Sequence, residues 1–221
     1  MNRRALVVTI CVLLLGVFAA AAYVFKPQKT SESALETTSA TPPASVKNNL
    51  VRFHSPSFGL ASAPVTIVEF FDPSCEACRS FYPYVKNILA EDTQNVRLVL
   101  RYVLFHKGSE EVVRMLEASR KQNLFPQVLE VVLKAQPQWH DDATAAAAWD
   151  AAAAVGLDVE KARKDMYAPA VDAVLAADKQ DVQAVGIKST PTFFVNGKQL
   201  MQYSPDVLRQ MVREEVAKSR N

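Results

Sequence analysis

The order of apolar and polar positions divides this chain into three unlike parts. Ala5 to Phe25 carries no charge and is bracketed by Arg3-Arg4 and Lys26. As a helix, such a run is about one bilayer span, for which ~20 residues suffice. Residues 26–49 have no apolar periodicity and are rich in Ser, Thr, Ala and Pro, the composition of a flexible stalk. A short helical stretch around Ser33–Thr37 is compatible with it. From residue 50 onward the pattern is that of a folded domain.

In that domain Val51–His54 is a weak strand candidate. Pro64–Phe71 is a strong one, apolar on both faces and so expected at the centre of a sheet. Asp72-Pro73-Ser74 breaks it. Glu76–Glu91 reads as a helix with an apolar stripe of Phe81, Val85, Ile88 and Leu89, kinked at Pro83. Asn95–Val103 is the next strand, with Val96, Leu98 and Leu100 alternating. Gly108 to about Ala184 is helical in pattern, divided at Pro126, Pro137, Gly156 and Pro169, and its Ala143–Ala154 run favours close helix packing. Thr192–Val195 is a third strong strand. Asn196-Gly197 is a two-residue hairpin signal, and Lys198–Met201 would return. Ser204 is placed to cap a last helix that opens on Pro205 and runs to about Lys218.

Composition narrows the functions open to this pattern. The chain has 221 residues, 49% of them hydrophobic, enough for one domain with a substantial core plus an appendage. The formal net charge is +2, and no Lys/Arg run suggests a nucleic-acid surface. The two N-terminal arginines hold that end in the cytoplasm and send the rest across the membrane. The length of the apolar run favours an uncleaved anchor over a cleaved signal, although Ala19–Ala22 offers small residues for cleavage. Either way the domain meets an oxidising compartment.

Only three cysteines are present: Cys11, inside the apolar run, and the pair Cys75 and Cys78. One pair cannot staple a domain of this size, and C-x-x-C spacing points to redox or metal chemistry. Zinc needs further ligands, and His54, His106 and His140 lack ligand spacing to the pair. A disulfide closing so short a loop would stabilise little. Redox chemistry requires a thiolate. Cys75 at a helix N-terminus obtains one from free N–H groups and the helix dipole, so Cys75 attacks and Cys78, one turn further in, resolves.

Two further positions bear on that chemistry. Glu69, on the strand leading to Cys75, is expected beneath the pair as a buried acid of raised pKa that relays a proton. The alternative for Glu69 is a solvent-facing strand end. Thr190-Pro191 precedes a strand in which Pro cannot donate to the ladder, and a cis bond there would bring backbone up to the cysteines. A strand–turn–helix bearing C-x-x-C, a helical block, then Thr-Pro–strand–hairpin–helix is an α/β thioredoxin-like topology with a helical insertion at about residues 108–184.

The segment Val68-Glu69-Phe70-Phe71-Asp72-Pro73-Ser74-Cys75-Glu76-Ala77-Cys78 resembles the active-site segment of the DsbA family of bacterial disulfide oxidoreductases. Val185–Gly197 resembles that family's cis-proline segment. The resemblance covers roughly Val51 to the C-terminus. It implies Cys75 as nucleophile, a cis Pro191, and Thr190 shaping substrate contact. It further implies substrates among exported proteins with cysteines, a DsbB-like or DsbD-like membrane redox partner, and no cofactor beyond the Cys75–Cys78 disulfide. Glu76-Ala77 departs from the Pro-His of strongly oxidising members and predicts a less depressed Cys75 pKa and a less oxidising disulfide. Thr190 is more typical of isomerase-type relatives, which dimerise through a domain not found here, so the direction of electron flow stays open. Soft-metal capture, as of Cu(I), and chaperone-like binding are the competing functions. For the aromatics Phe71, Phe81 and Tyr82 that would serve the latter, a core position is expected.

Overall fold

The computed structural model describes residues 49–220. The predicted membrane run at residues 1–25, the stalk up to residue 48 and the helical stretch at Ser33–Thr37 lie outside the described residues. Five strands form one mixed sheet: β1 (Ser57–Phe58), β2 (Val65–Phe71), β3 (Val96–Tyr102), β4 (Thr192–Val195) and β5 (Lys198–Gln199), in the order β1-β3-β2-β4-β5. β2 runs parallel to β3, while β1 on β3, β4 on β2 and β5 on β4 are antiparallel.

β2 is central, as its two-faced apolar pattern predicts. Val65, Ile67 and Phe71 face one apolar cluster with Cys75 and Cys78, whereas Val68 and Phe70 face a second cluster on the other side. Helix α1 (Glu76–Glu91) joins β2 to β3 and continues through Pro83 as one element. The helical block is α2 (Ser109–Arg120), α3 (Phe125–Ala135), a 3-10 turn at Gln136–Gln138, α4 (Ala146–Ala154), α5 (Val159–Asp165) and α6 (Pro169–Val185). α7 (Pro205–Ser219) closes the domain. The expected breaks recur: Pro126 and Pro169 sit in first turns, Pro137 lies in the 3-10 turn, and Gly156 takes φ 92°. The first of these breaks, between α2 and α3, also uses Asn123 at φ 57°, a left-handed position that Asn tolerates. Ala148 and Ala152 are fully buried, which lets α4 pack closely. Among the described residues no helix is long and apolar enough to cross a membrane.

Three local expectations are corrected. Val51–His54 is a turn and not a strand, because its polar groups are committed elsewhere. Arg52 donates to the Asp181 carboxylate at 2.7 and 2.8 Å, and His54 Nε2 lies 2.9 Å from Asp178 Oδ1. The same two carboxylates of α6 receive Arg101, which is 0% exposed and also donates to the Asn49 and Leu50 carbonyls. A buried guanidinium is tolerable only when paired in this way. Edge pairing falls instead to Ser57–Phe58. The returning strand stops at Gln199, short of Met201. Ser204 occupies the N-cap of α7, but its side chain makes no capping hydrogen bond.

Candidate active site

The end of β2 builds the site. Asp72 folds the chain back on itself: its Oδ1 accepts the Ser74 N–H at 2.9 Å, and its carbonyl accepts the Cys75 N–H at 3.0 Å. Cys75 then stands at the N-cap of α1 with extended backbone, φ −74° and ψ 121°. The first-turn N–H groups have no helical partner and are available to the sulfur.

Both thiols are free, Cys75 at 7% exposure and Cys78 at 0%. Their environments split them. The hydrogen bond from Cys78 is the largest influence on Cys75, with Thr190 and the Cys78 and Ala77 N–H groups adding to it, and together they overcome burial and bring its pKa down to about 5. Burial is the largest influence on Cys78 and pushes its thiol up, aided by the charges of Cys75 and Glu69. An exposed-side thiolate and an interior thiol are the arrangement an attacking and a resolving cysteine require.

Glu69 sits on the β2 face shared with the cysteines, flanked by Leu100 on β3 and Phe193 on β4, and is 2% exposed. Burial first, and the Cys75 charge second, raise its pKa to about 8. The solvent-facing alternative for Glu69 is thereby set aside. Across the site the Thr190–Pro191 bond is cis, and the Thr190 carbonyl oxygen lies 3.2 Å from Cys75 Sγ. Ala77 contributes only backbone. Glu76 points outward, 69% exposed and 3.9 Å from His140 Nε2, and is not among the largest influences on Cys75. Of the three aromatics, Phe71 is buried, while Phe81 and Tyr82 are partly buried against the same core.

Four residues of the site escaped the sequence reading of its chemistry. Gln136, fully buried in the 3-10 turn, donates to the Pro73 and Cys75 carbonyls at 2.8 and 2.9 Å, so the helical block holds the redox turn. Asp72, His106 and Ser109 form a cluster beside Cys75. Only Asp72 had a local signal, since an Asp two residues before a Ser at a strand end favours such a turn. Cys75, Phe105, His106, Lys188, Ser189 and Thr190 line a cleft of about 470 Å³. Among the described residues no group of three or more His, Cys, Asp or Glu side chains is placed to hold a metal ion.

Fold and site together define a thioredoxin-type domain with a helical insertion and a C-x-x-C turn. The thioredoxin family model matches residues 53–214, and the chain belongs to that family. Among solved structures it is similar to a thioredoxin-like oxidoreductase from Silicibacter pomeroyi DSS-3, at TM-score 0.67 and 28% identity, covering 81% of this chain and 98% of that one. Its fold also matches α-DsbA1 of Wolbachia pipientis at TM-score 0.69 and 16% identity, over 79% and 97% of the two chains. A Rickettsia conorii protein provisionally named a protein-disulfide oxidoreductase is 26% identical over 156 residues, which are 68% of this chain and 56% of that protein. The Na(+)/H(+) antiporter NhaA of Herminiimonas arsenicoxydans is 30% identical over 142 residues, 64% of this chain. The chain spans about a fifth of the length of the first such relatives, 22% of that antiporter, so the antiporter name describes far more protein than is shared.

Proposed function

We propose that this protein is a thiol–disulfide oxidoreductase of DsbA type that acts on exported proteins with cysteines. The observation that carries this reading is the seating of Cys75. Its sulfur lies at a helix N-cap, 3.2 Å from the Thr190 carbonyl beside cis Pro191, with Cys78 one turn deeper. A substrate thiolate attacks Cys75 Sγ, and the Cys75–Cys78 bond breaks with its electron pair on Cys78. Glu69, protonated at neutral pH, supplies the proton to Cys78. A second substrate thiolate then attacks the substrate sulfur of the mixed disulfide and displaces Cys75 as a thiolate. The substrate is oxidised by two electrons and the protein is reduced.

A Cys75 pKa of about 5 stabilises the dithiol form relative to the disulfide, which favours oxidation of substrates despite Glu76-Ala77. The apolar run after Arg3-Arg4 supports tethering on the periplasmic side of the inner membrane, where a DsbB-like partner would re-form the disulfide. A DsbD-like partner would serve the opposite direction. The test is to mix the disulfide form of the full chain with a reduced, unfolded protein that carries cysteines. In the opposite direction, Cys78→Ser mixed with the disulfide form of that protein should trap a mixed disulfide at Cys75, the other substrate sulfur leaving as a thiol, and Cys75→Ser should abolish exchange. Full exchange by Cys75→Ser, or stoichiometric Cu(I) binding without any exchange, would overturn the reading.

A further inference from the structure

The proposed chemistry leaves one sulfur without a proton partner. Glu69 serves Cys78 from the interior, but the substrate sulfur enters and leaves on the solvent side. On that side the cleft beside Cys75 contains an imidazole, His106. Its ring is fixed. Nδ1 lies 2.8 Å from Asp72 Oδ2, and the His106 N–H donates to Ser109 Oγ at 3.3 Å. Ser109 in turn donates to Asp72 Oδ1 at 2.6 Å.

Asp72 is 0% exposed and accepts from Ser74 N, Ser109 Oγ, Phe105 N and His106 Nδ1. An acceptor so used assigns the hydrogen to Nδ1 and leaves Nε2 to take or give a proton. Nε2 has no hydrogen-bond partner among the described residues, and the side chain is 46% exposed. The titratable groups facing it are Asp72 from the β2–α1 turn, Cys75 from α1 and Lys188 from the loop before β4, with Lys107 its chain neighbour.

We propose that Asp72 and His106 are the proton-carrying dyad for the substrate sulfur. Resting on the oxidoreductase reading, this assigns a second proton site to the same exchange. His106 Nε2 takes the proton of the entering substrate thiol, and the resulting thiolate attacks Cys75 Sγ. In the reductive direction, Cys75 attacks a substrate disulfide, a Cys75–substrate S–S bond forms as the substrate S–S bond breaks, and the imidazolium gives its proton to the departing sulfur. Asp72 orients the ring and balances its charge, and is a positioning residue.

The dyad matters only where the departing sulfur needs a proton, and this makes it testable. The reduced full chain is mixed in single turnovers with two disulfides: oxidised glutathione, whose leaving thiol is basic, and a nitroaryl disulfide, whose thiolate leaves without a proton. His106→Gln should slow the glutathione reaction about tenfold or more, and leave the nitroaryl reaction unchanged. The pH–rate profile for glutathione should lose a limb that the wild type shows. Equal slowing of both reactions would make His106 merely structural and overturn the dyad. Unchanged rates for both would overturn it too, while leaving the oxidoreductase reading intact. Failure of the wild type to react with either would instead sink that reading. The nitroaryl arm also reports that the variant is folded around a working Cys75.

Discussion

Glu69 and Asp72 are carboxylates on one strand end, three residues apart, and both are buried, at 2% and 0% exposure. Their surroundings are opposite. Asp72 receives four hydrogen bonds, two from backbone N–H groups, one from a hydroxyl and one from an imidazole. Glu69 lies between Leu100 and Phe193 with a carboxyl pushed up to about 8. The difference teaches that burial alone does not give an acid its task. Donors turn a buried carboxylate into a fixed organiser of the chain, and their scarcity turns one into a proton carrier.

The largest test of this contrast is Asp72→Ala. The Ser74 and Phe105 N–H groups and the Ser109 hydroxyl lose their acceptor, and Ser74 and Ser109 are buried. An unsatisfied buried donor costs about 1–3 kcal/mol, so a loss of about 4 kcal/mol is expected in denaturant unfolding. A change below about 1 kcal/mol would mean that the four hydrogen bonds organise nothing.

Glu69→Gln should act in the other direction. The folded pKa of about 8 exceeds the ordinary 4.5, so the folded protein holds a proton that the unfolded chain releases. Stability from this group is therefore fully present below pH about 4.5 and is lost as pH rises through about 8. The glutamine variant lacks that loss. It should match the wild type near pH 4.5 and exceed it by about 3 kcal/mol at pH 7. The disulfide form removes the Cys75 charge, the second cause of the rise, so the window should end at a lower pH there. A pH-independent difference between the two proteins would contradict a proton on Glu69. The same variant should slow release of Cys78 as a thiol.

The contrast was only half legible in the sequence. Glu69 could be placed because strand alternation is local: the spacing from Glu69 to Cys75 and the apolar run around it put the acid under the pair. The β-α-β and β-β-α halves were legible for the same reason, since their periods and turn residues are local. The partners of Asp72 come from the segment after β3 and from α2, and those of Cys75 from the 3-10 turn and the cis-proline loop. Such pairings depend on how distant elements dock, which no local period encodes. Val51–His54 failed likewise, because its fate was set by Asp178 and Asp181 on α6.

The smallest test concerns Glu76, which the sequence set against the Cys75 thiolate. Adjacency in the chain suggested repulsion, yet the carboxylate is 69% exposed and lies near His140 instead. Cys75 reaches a pKa of about 5 through Cys78, Thr190 and the helix N–H groups, none of which Glu76 disturbs. Water and salt screen an exposed charge strongly, so Glu76→Gln should move the Cys75 titration by less than about half a pH unit. The absorbance of the thiolate across a pH series reads this directly. A fall of more than about one pH unit would show that the exposed acid tunes the sulfur after all. It would also show that the interior carboxylates are not alone in dividing the proton chemistry of the site.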